Sequence, residues 1–312
     1  MGKILKYAGL GISGLLLLAG SVWWYLPYVV GEVKNPVAAF YNPSLTKVEK
    51  PDFAAYGITH YETFLFRTYD GLTMSAYAVF PEGKIRGTVV ALHGYRSNKN
   101  RYLPYVQFFT DRGYVFIAPD LRGHNESEGD FTGFGGKEWR DIAALIDYIR
   151  KKGWLHRPLI LYGHSVGGAT AVQLQAHEHP ADMLILESTF YDLKDLVPNY
   201  MKIYFSSLFA RPPEGIVNGI FARLHLKRND VFPGYYARQI HVPVLMVQGD
   251  EDKKVPLPEA MKLFESLGSS HKKLIKIRGA GHTTVIRKAG QYRYFDTITA
   301  FIEKARQSNF SK

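Results

Sequence analysis

From residue 62 onward, short apolar runs bounded by turn residues alternate with longer stretches whose apolar positions recur at helical spacing. The runs at 62–68 and 73–80 flank Tyr69-Asp70-Gly71, a turn signal, and predict two strands. Further strands are predicted at 88–92, 114–118, 159–162, 183–186, 244–247 and 274–277. Helices are predicted at 101–112, ended by Gly113, at 138–152, from Ser165 onward, and at 292–306. In the second of these, Ile142, Leu145, Ile146 and Ile149 share one face. Short apolar strands between amphipathic helices predict an α/β fold with a mostly parallel sheet covered on both faces.

Two segments break this rhythm. Residues 7–30, "YAGLGISGLLLLAGSVWWYLPYVV", carry no charge and follow Lys3 and Lys6. Their length exceeds the roughly 20 residues that cross a bilayer as a helix. Trp23, Trp24 and Tyr25 stand where an interfacial aromatic belt would lie. A cleaved signal peptide would share the basic start, and Ala19-Gly20-Ser21 offers small residues for cleavage. The apolar run continues past that point, which favours an uncleaved anchor. The positive-inside bias puts the N-terminus in the cytoplasm and the large domain outside it. The organisation expected is an anchor at 1–34, a linker at 35–60 and the α/β domain at 61–312. The second break is 189–240, too long for a simple connection between two strands and rich in aromatic residues. It is expected to form a small helical lid over a pocket.

Composition narrows the chemistry. The 312 residues contain no cysteine, which excludes disulfides, thiolate metal ligands and a cysteine nucleophile. The net charge is +11, concentrated in residues 223–312, where 17 Lys and Arg face 8 Asp and Glu. No nucleic-acid motif accompanies the excess, so attraction to an anionic membrane surface or plain solubility is expected, and no nucleic-acid partner. "HEHP" at 177–180 stands at a helix end without a partner motif and is read as structural, so no metal is expected. No dinucleotide or phosphate-loop signature follows a strand, and no cofactor is expected.

The strand at 159–162 runs into Gly163-His164-Ser165-Val166-Gly167, a G-x-S-x-G elbow. Small residues two before and two after the serine let strand and helix approach closely. The sharp turn exposes the serine oxygen, and the helix N-terminus turns its N–H groups and positive dipole toward it. A serine nucleophile needs a base and an acid, in the chain order serine, acid, histidine for this elbow. His282, in "IRGAGHTTV", stands in a loop after the last strand, as a base would. Asp250, Glu251 and Asp252 compete for the acid role.

From about residue 61 to the C-terminus the chain resembles the α/β-hydrolase superfamily, and within it the serine aminopeptidase-like and monoglyceride-lipase-like hydrolases. "ALHGYRSN" resembles the oxyanion loop, and "APDLRGHNESEG" resembles the D-x-R-G-H-G-x-S segment, with Asn125 where glycine is usual. "GHSVGG" resembles the elbow and "QGDEDKKVP" the G-x-x-D-x-x-V-P acid loop. The resemblance implies an α/β-hydrolase fold with Ser165 as nucleophile, His282 as general base and Asp252 as its acid partner. It implies an oxyanion hole from the backbone N–H groups of Tyr95 and Val166, with the Tyr95 side chain shaping the pocket mouth. His93, Arg122 and His124 are read as loop-organising. A serine at the elbow argues against dehalogenase and epoxide-hydrolase chemistry, which need aspartate there. The function expected is a membrane-anchored serine hydrolase acting on carboxylic esters, with a small-molecule or lipid ester as substrate. Peptidase, amidase or thioesterase action with the same triad is the alternative. A non-catalytic binding protein of the same fold is the alternative of another class.

Overall fold

The computed structural model of the chain describes residues 21, 30–34, 47–204 and 214–310. Eight strands form one sheet: β1 (Tyr61–Arg67), β2 (Thr73–Val79), β3 (Gly87–Leu92), β4 (Tyr114–Pro119), β5 (Leu159–His164), β6 (Met183–Glu187), β7 (Val244–Gly249) and β8 (Lys272–Ile277). Their order across the sheet is β1-β2-β4-β3-β5-β6-β7-β8. β2 runs antiparallel to β1 and β4, and every pairing from β4–β3 to β7–β8 is parallel. Each predicted strand is present. Every residue of β3 through β7 is buried, which is why these strands read as continuous apolar runs. β1, at the sheet edge, alternates between buried Phe64 and Phe66 and exposed neighbours.

The helices are α1 (Val106–Thr110), α2 (Glu138–Lys151), α3 (Val166–Glu178), α4 (Leu193–Tyr204), α5 (Glu214–Arg223), α6 (Pro233–Tyr236), α7 (Leu257–Ser266), α8 (Val285–Ala289) and α9 (Gln291–Phe310). They cover both faces. On one side Ile142 and Leu145 of α2 and Ala169 and Val172 of α3 join a core with Val90, Leu161 and Leu184 of the sheet. On the other, Phe109 of α1 and Phe295 and Ile298 of α9 join Val89, Ile160 and Ile185.

The helix expected at 101–112 is different. A 3₁₀ helix, Lys99–Tyr105, contains Pro104 and precedes the short α1. Proline has no N–H and its ring crowds the carbonyl four residues back, which disfavours a continuous α-helix across this position. Two helices, α7 and α8, were not anticipated. Between β6 and β7 the expected insertion carries α4, α5, α6 and two 3₁₀ turns, Arg228–Val231 and Ala237–Gln239.

The predicted membrane helix at 7–30 lies outside the described residues except for Ser21 and Val30. Among the described residues no helix is long and apolar enough to cross a membrane. Residues 30–34 lie against the folded unit, with Glu32 bridging antiparallel to Phe131. Phe53 and Ile58 are buried in the second core, so packing also reaches upstream of β1.

Candidate active site

The strand–turn–helix at β5 and α3 puts Ser165 at φ 54°, ψ −113°. Its N–H donates to the Glu187 carbonyl at 2.8 Å, across to the end of the neighbouring strand β6. The flanking glycines are a steric requirement. A Cβ at Gly163 would lie 2.4 Å from the Gly167 carbonyl oxygen, and one at Gly167 would lie 2.0 Å from the Leu92 oxygen. At Gly168 it would meet Thr189 Oγ1 at 1.9 Å. No side chain fits where the turn presses against β3 and the start of the insertion.

His282 and Asp252 come from loops after β8 and β7, and the sheet order brings both to the C-terminal edge beside β5. His282 Nε2 lies 3.1 Å from Ser165 Oγ, and Nδ1 lies 2.8 Å from Asp252 Oδ2. A carboxylate can only accept, so Nδ1 carries the proton and Nε2 offers its lone pair to the serine hydroxyl. Asp252 is held by its own loop. Its Oδ1 accepts the N–H groups of Lys254 and Val255, both at 2.9 Å, and Oδ2 accepts from Gln248 Nε2 at 3.2 Å. Of the other acids, Asp250 turns away and accepts the Gly279 N–H at 2.7 Å, and Glu251 is exposed.

The loop after β3 passes directly over the serine. A Cβ at Gly94 would lie 3.3 Å from Ser165 Cβ. The next residue is Tyr95. Val166 is the first residue of α3, and the opening N–H groups of a helix have no partner within it. The two expected oxyanion donors thus flank Ser165 from β3 and from α3. The Tyr95 hydroxyl donates to the Val30 carbonyl at 2.8 Å.

The loop residues have structural partners. His93 Nε2 accepts the Leu121 N–H at 2.9 Å, and its Nδ1 donates to the Gly94 carbonyl at 2.8 Å. His124 Nε2 accepts the Arg96 N–H at 3.1 Å. Arg122 forks onto Asp141 at 2.6 and 2.7 Å and reaches Asp70. Asn125 occupies its glycine-like position at φ 44°, a conformation asparagine tolerates. Its amide accepts the Glu49 N–H at 2.7 Å and donates to the Glu49 carbonyl at 2.9 Å, a pairing no glycine could make. His177, from "HEHP", stacks on Trp139 with ring centroids 4.3 Å apart. Among the described residues no cluster of His, Asp or Glu could hold a metal ion.

Sequence reasoning missed three supports. His164 Nε2 donates to the His282 carbonyl at 2.9 Å, tying the elbow to the histidine loop. Burial holds the imidazoles of His93 and His164 well below their ordinary range, so both are neutral. Glu187, fully buried beneath His164, accepts from Tyr162, Tyr294 and Arg101 at 3.0, 2.6 and 3.0 Å. Lys99, 1% exposed, reaches Asp120, Glu126 and Ser75 and staples the loop after β3 to the loop after β4. Only His164 left a signal, as the residue beside the serine.

This sheet, with a serine on a sharp turn between the central parallel strand β5 and its helix, defines the class: the chain has the α/β-hydrolase fold. A family model described as serine aminopeptidase, S33, matches residues 83–229. The chain is 28% identical over 309 residues to Protein bem46 of Schizosaccharomyces pombe, covering 96% of this chain and 93% of that one. It is 26% identical to the uncharacterized membrane protein YNL320W of Saccharomyces cerevisiae, covering 82% and 83%. Among solved structures it is similar to the esterase Pf2001 of Pyrococcus furiosus, with a TM-score of 0.68 at 21% identity, covering 83% and 97%.

Proposed function

We propose that the protein is a membrane-anchored serine hydrolase that cleaves carboxylic esters through an acyl-enzyme. The observation that carries this reading is the hydrogen-bonded line Asp252–His282–Ser165 ending on the elbow serine. Ser165 Oγ attacks the ester carbonyl carbon while His282 Nε2 takes its proton. The carbonyl oxygen becomes an oxyanion, stabilised by the N–H groups of Tyr95 and Val166. Collapse expels the alcohol, which takes the proton from His282. Water, activated by the same nitrogen, then releases the acid. Asp252 holds the imidazole in the working tautomer and stabilises its charge.

An ester as substrate draws on the likeness to an esterase in fold. An amide is the second reading, favoured by the matched family description. Membrane attachment draws on the apolar segment 7–30 and on a relative described as a membrane protein. Because that segment ends at Val30, whose carbonyl meets Tyr95, a bilayer at its end would lie beside the site, which suits an acyl or lipid ester. The helices between β6 and β7 act as the lid over that substrate.

The test is labelling with a fluorophosphonate, which phosphonylates an activated serine. Wild-type protein is expected to label and Ser165→Ala to label not at all. A folded wild-type protein that stays unlabelled would leave the non-catalytic binding reading in its place. Rates on matched p-nitrophenyl esters and p-nitroanilides separate ester from amide preference. Washing membranes with alkaline carbonate should leave the protein in the pellet, and its release would remove the anchor from this reading.

A further inference from the structure

Residues 30–34 lie among three parts of the domain. The Gly31 carbonyl accepts the Thr132 N–H at 2.9 Å, the Val33 N–H donates to Asp130 at 3.2 Å, and Glu32 bridges to Phe131 between them. Val33 is 2% exposed. Together these make residues 30–34 a short strap fastened along 130–132. On one side the strap touches the insertion just after α5. A Cβ on Gly31 would lie 2.3 Å from Leu224 Cδ2, so an alanine there must displace either the Leu224 side chain or the strap. On the other side, the Val30 carbonyl accepts the Tyr95 hydroxyl at 2.8 Å.

Tyr95 stands in a part of the chain that no regular structure orients. Gly94 precedes it, and Arg96 follows at φ 55°. The turn closes with the Ser97 N–H on the Gly94 carbonyl at 3.2 Å. The direction of the Tyr95 N–H therefore depends on how the residue is pinned. His124 accepts the Arg96 N–H on the backbone side. The Tyr95 ring packs 5.5 Å from Phe134, and its hydroxyl reaches the strap. Aromatic packing fixes where the ring lies, and the hydrogen bond fixes how far along its axis it sits.

We infer that the strap at residues 30–34 is a positioning element of the active site: through Val30 it holds Tyr95 so that its backbone N–H stays aimed at the oxyanion, and through Gly31 it links that donor to the inserted helices at Leu224. The inference rests on the serine-hydrolase reading. It gives the end of the apolar segment and the residues that follow it a part in catalysis separate from attachment. Tyr95, Val30 and Gly31 act here through position and touch no reacting atom with their side chains.

The experiment uses the full chain in detergent, with three readouts: kcat and KM on p-nitrophenyl butyrate, the second-order rate of fluorophosphonate labelling, and the end-point stoichiometry of labelling. Tyr95→Phe keeps the ring and removes the hydroxyl. A whole oxyanion donor is worth about 100- to 1,000-fold in kcat, and a misaimed one is expected to lose about tenfold. The labelling rate should fall by the same factor, because the phosphonyl oxygen uses the same N–H groups. KM and end-point stoichiometry should stay within twofold of wild type. Gly31→Ala, which pushes the strap off Leu224, should behave alike, and adding Leu224→Ala should restore the rate to that of Leu224→Ala alone. Tyr95→Phe with wild-type kcat and labelling rate would overturn the inference. So would a loss matched by a fall in stoichiometry, which marks partial unfolding. A wild-type chain that does not label fails at the underlying reading, and the inference falls with it.

Discussion

At Ser165 the backbone stands in a left-handed region that costs a non-glycine residue about 1–3 kcal/mol. Neighbours enforce it: the Glu187 carbonyl holds the N–H, and the bare faces of Gly163 and Gly167 let α3 close onto β5 and β3. These demands fall on adjacent residues, so they are visible as a local motif. The choice among Asp250, Glu251 and Asp252 was not visible from residue type, because three acids in a row offer the same chemistry. It came from resemblance to an acid-loop pattern, and the geometry gives it physical content. Asp252 alone has an oxygen on His282, while Asp250 braces Gly279. Asp252→Asn is therefore expected to lower kcat on a p-nitrophenyl ester by about 10⁴-fold through the wrong histidine tautomer. Asp250→Asn keeps its acceptor oxygen and should change kcat by less than about threefold on the same scale. Equal losses in a side-by-side assay would remove the distinction.

At the scale of elements, the loop after β3 depends on a buried cation. Lys99 places its ammonium on Asp120, which is fully buried, and on Glu126 at 2.6 Å, and its N–H also donates to Asp120 at 2.8 Å. Removing one partner of such a pair leaves a charge without compensation. Lys99→Met should cost about 3–5 kcal/mol in urea unfolding. Adding Asp120→Asn, which deletes the stranded charge, should recover part of the loss, and no recovery would mean that packing rather than charge holds the loop. The staple was not legible in the sequence. Lys99 stands in a polar stretch and reads as a surface lysine, and its partners lie 21 and 27 residues away. The 3₁₀ helix that begins at Lys99 departs from the α-helix expected at 101–112, because Pro104 has no N–H to donate within it.

Across the whole molecule, three histidines, His93, His124 and His164, have imidazoles lowered from their ordinary value chiefly by burial. The sign of the consequence follows directly. The unfolded chain takes up protons at these groups as pH falls below about 6.5, and the folded chain does not until lower pH. Stability at these three sites is therefore full above that value and is lost as pH falls from it toward the folded pKa values. Each histidine contributes a slope of about 1.4 kcal/mol per pH unit within that window. The melting temperature should fall steadily from pH 7 to pH 5, and His164→Gln should flatten the slope by about one proton's worth. Burial pushes Asp141 up to about 7, which opposes this slope. The check is therefore the difference between the two proteins: a His164→Gln slope equal to that of wild type would mean that the His164 imidazole titrates normally in the folded protein.

The sequence by itself determined the strands, the long helices α2, α3 and α9, the fold class and the turn that exposes Ser165, because each depends on the spacing and size of residues close along the chain. A strand declares itself by its apolar run, and an elbow by the glycines it cannot replace. Only the tertiary structure decided what meets across the sheet. The sheet order carries the loops after β7 and β8 to the end of β5, bringing Asp252 and His282 to a serine 117 residues before His282. It sets His164 beneath the His282 carbonyl, Lys99 beside Asp120, and Val30 against Tyr95. None of these pairs has a local sterical signature. Each forms because chain segments far apart in sequence are closed onto one edge of the sheet, where burial removes water and leaves each polar group dependent on the partner that the fold supplies.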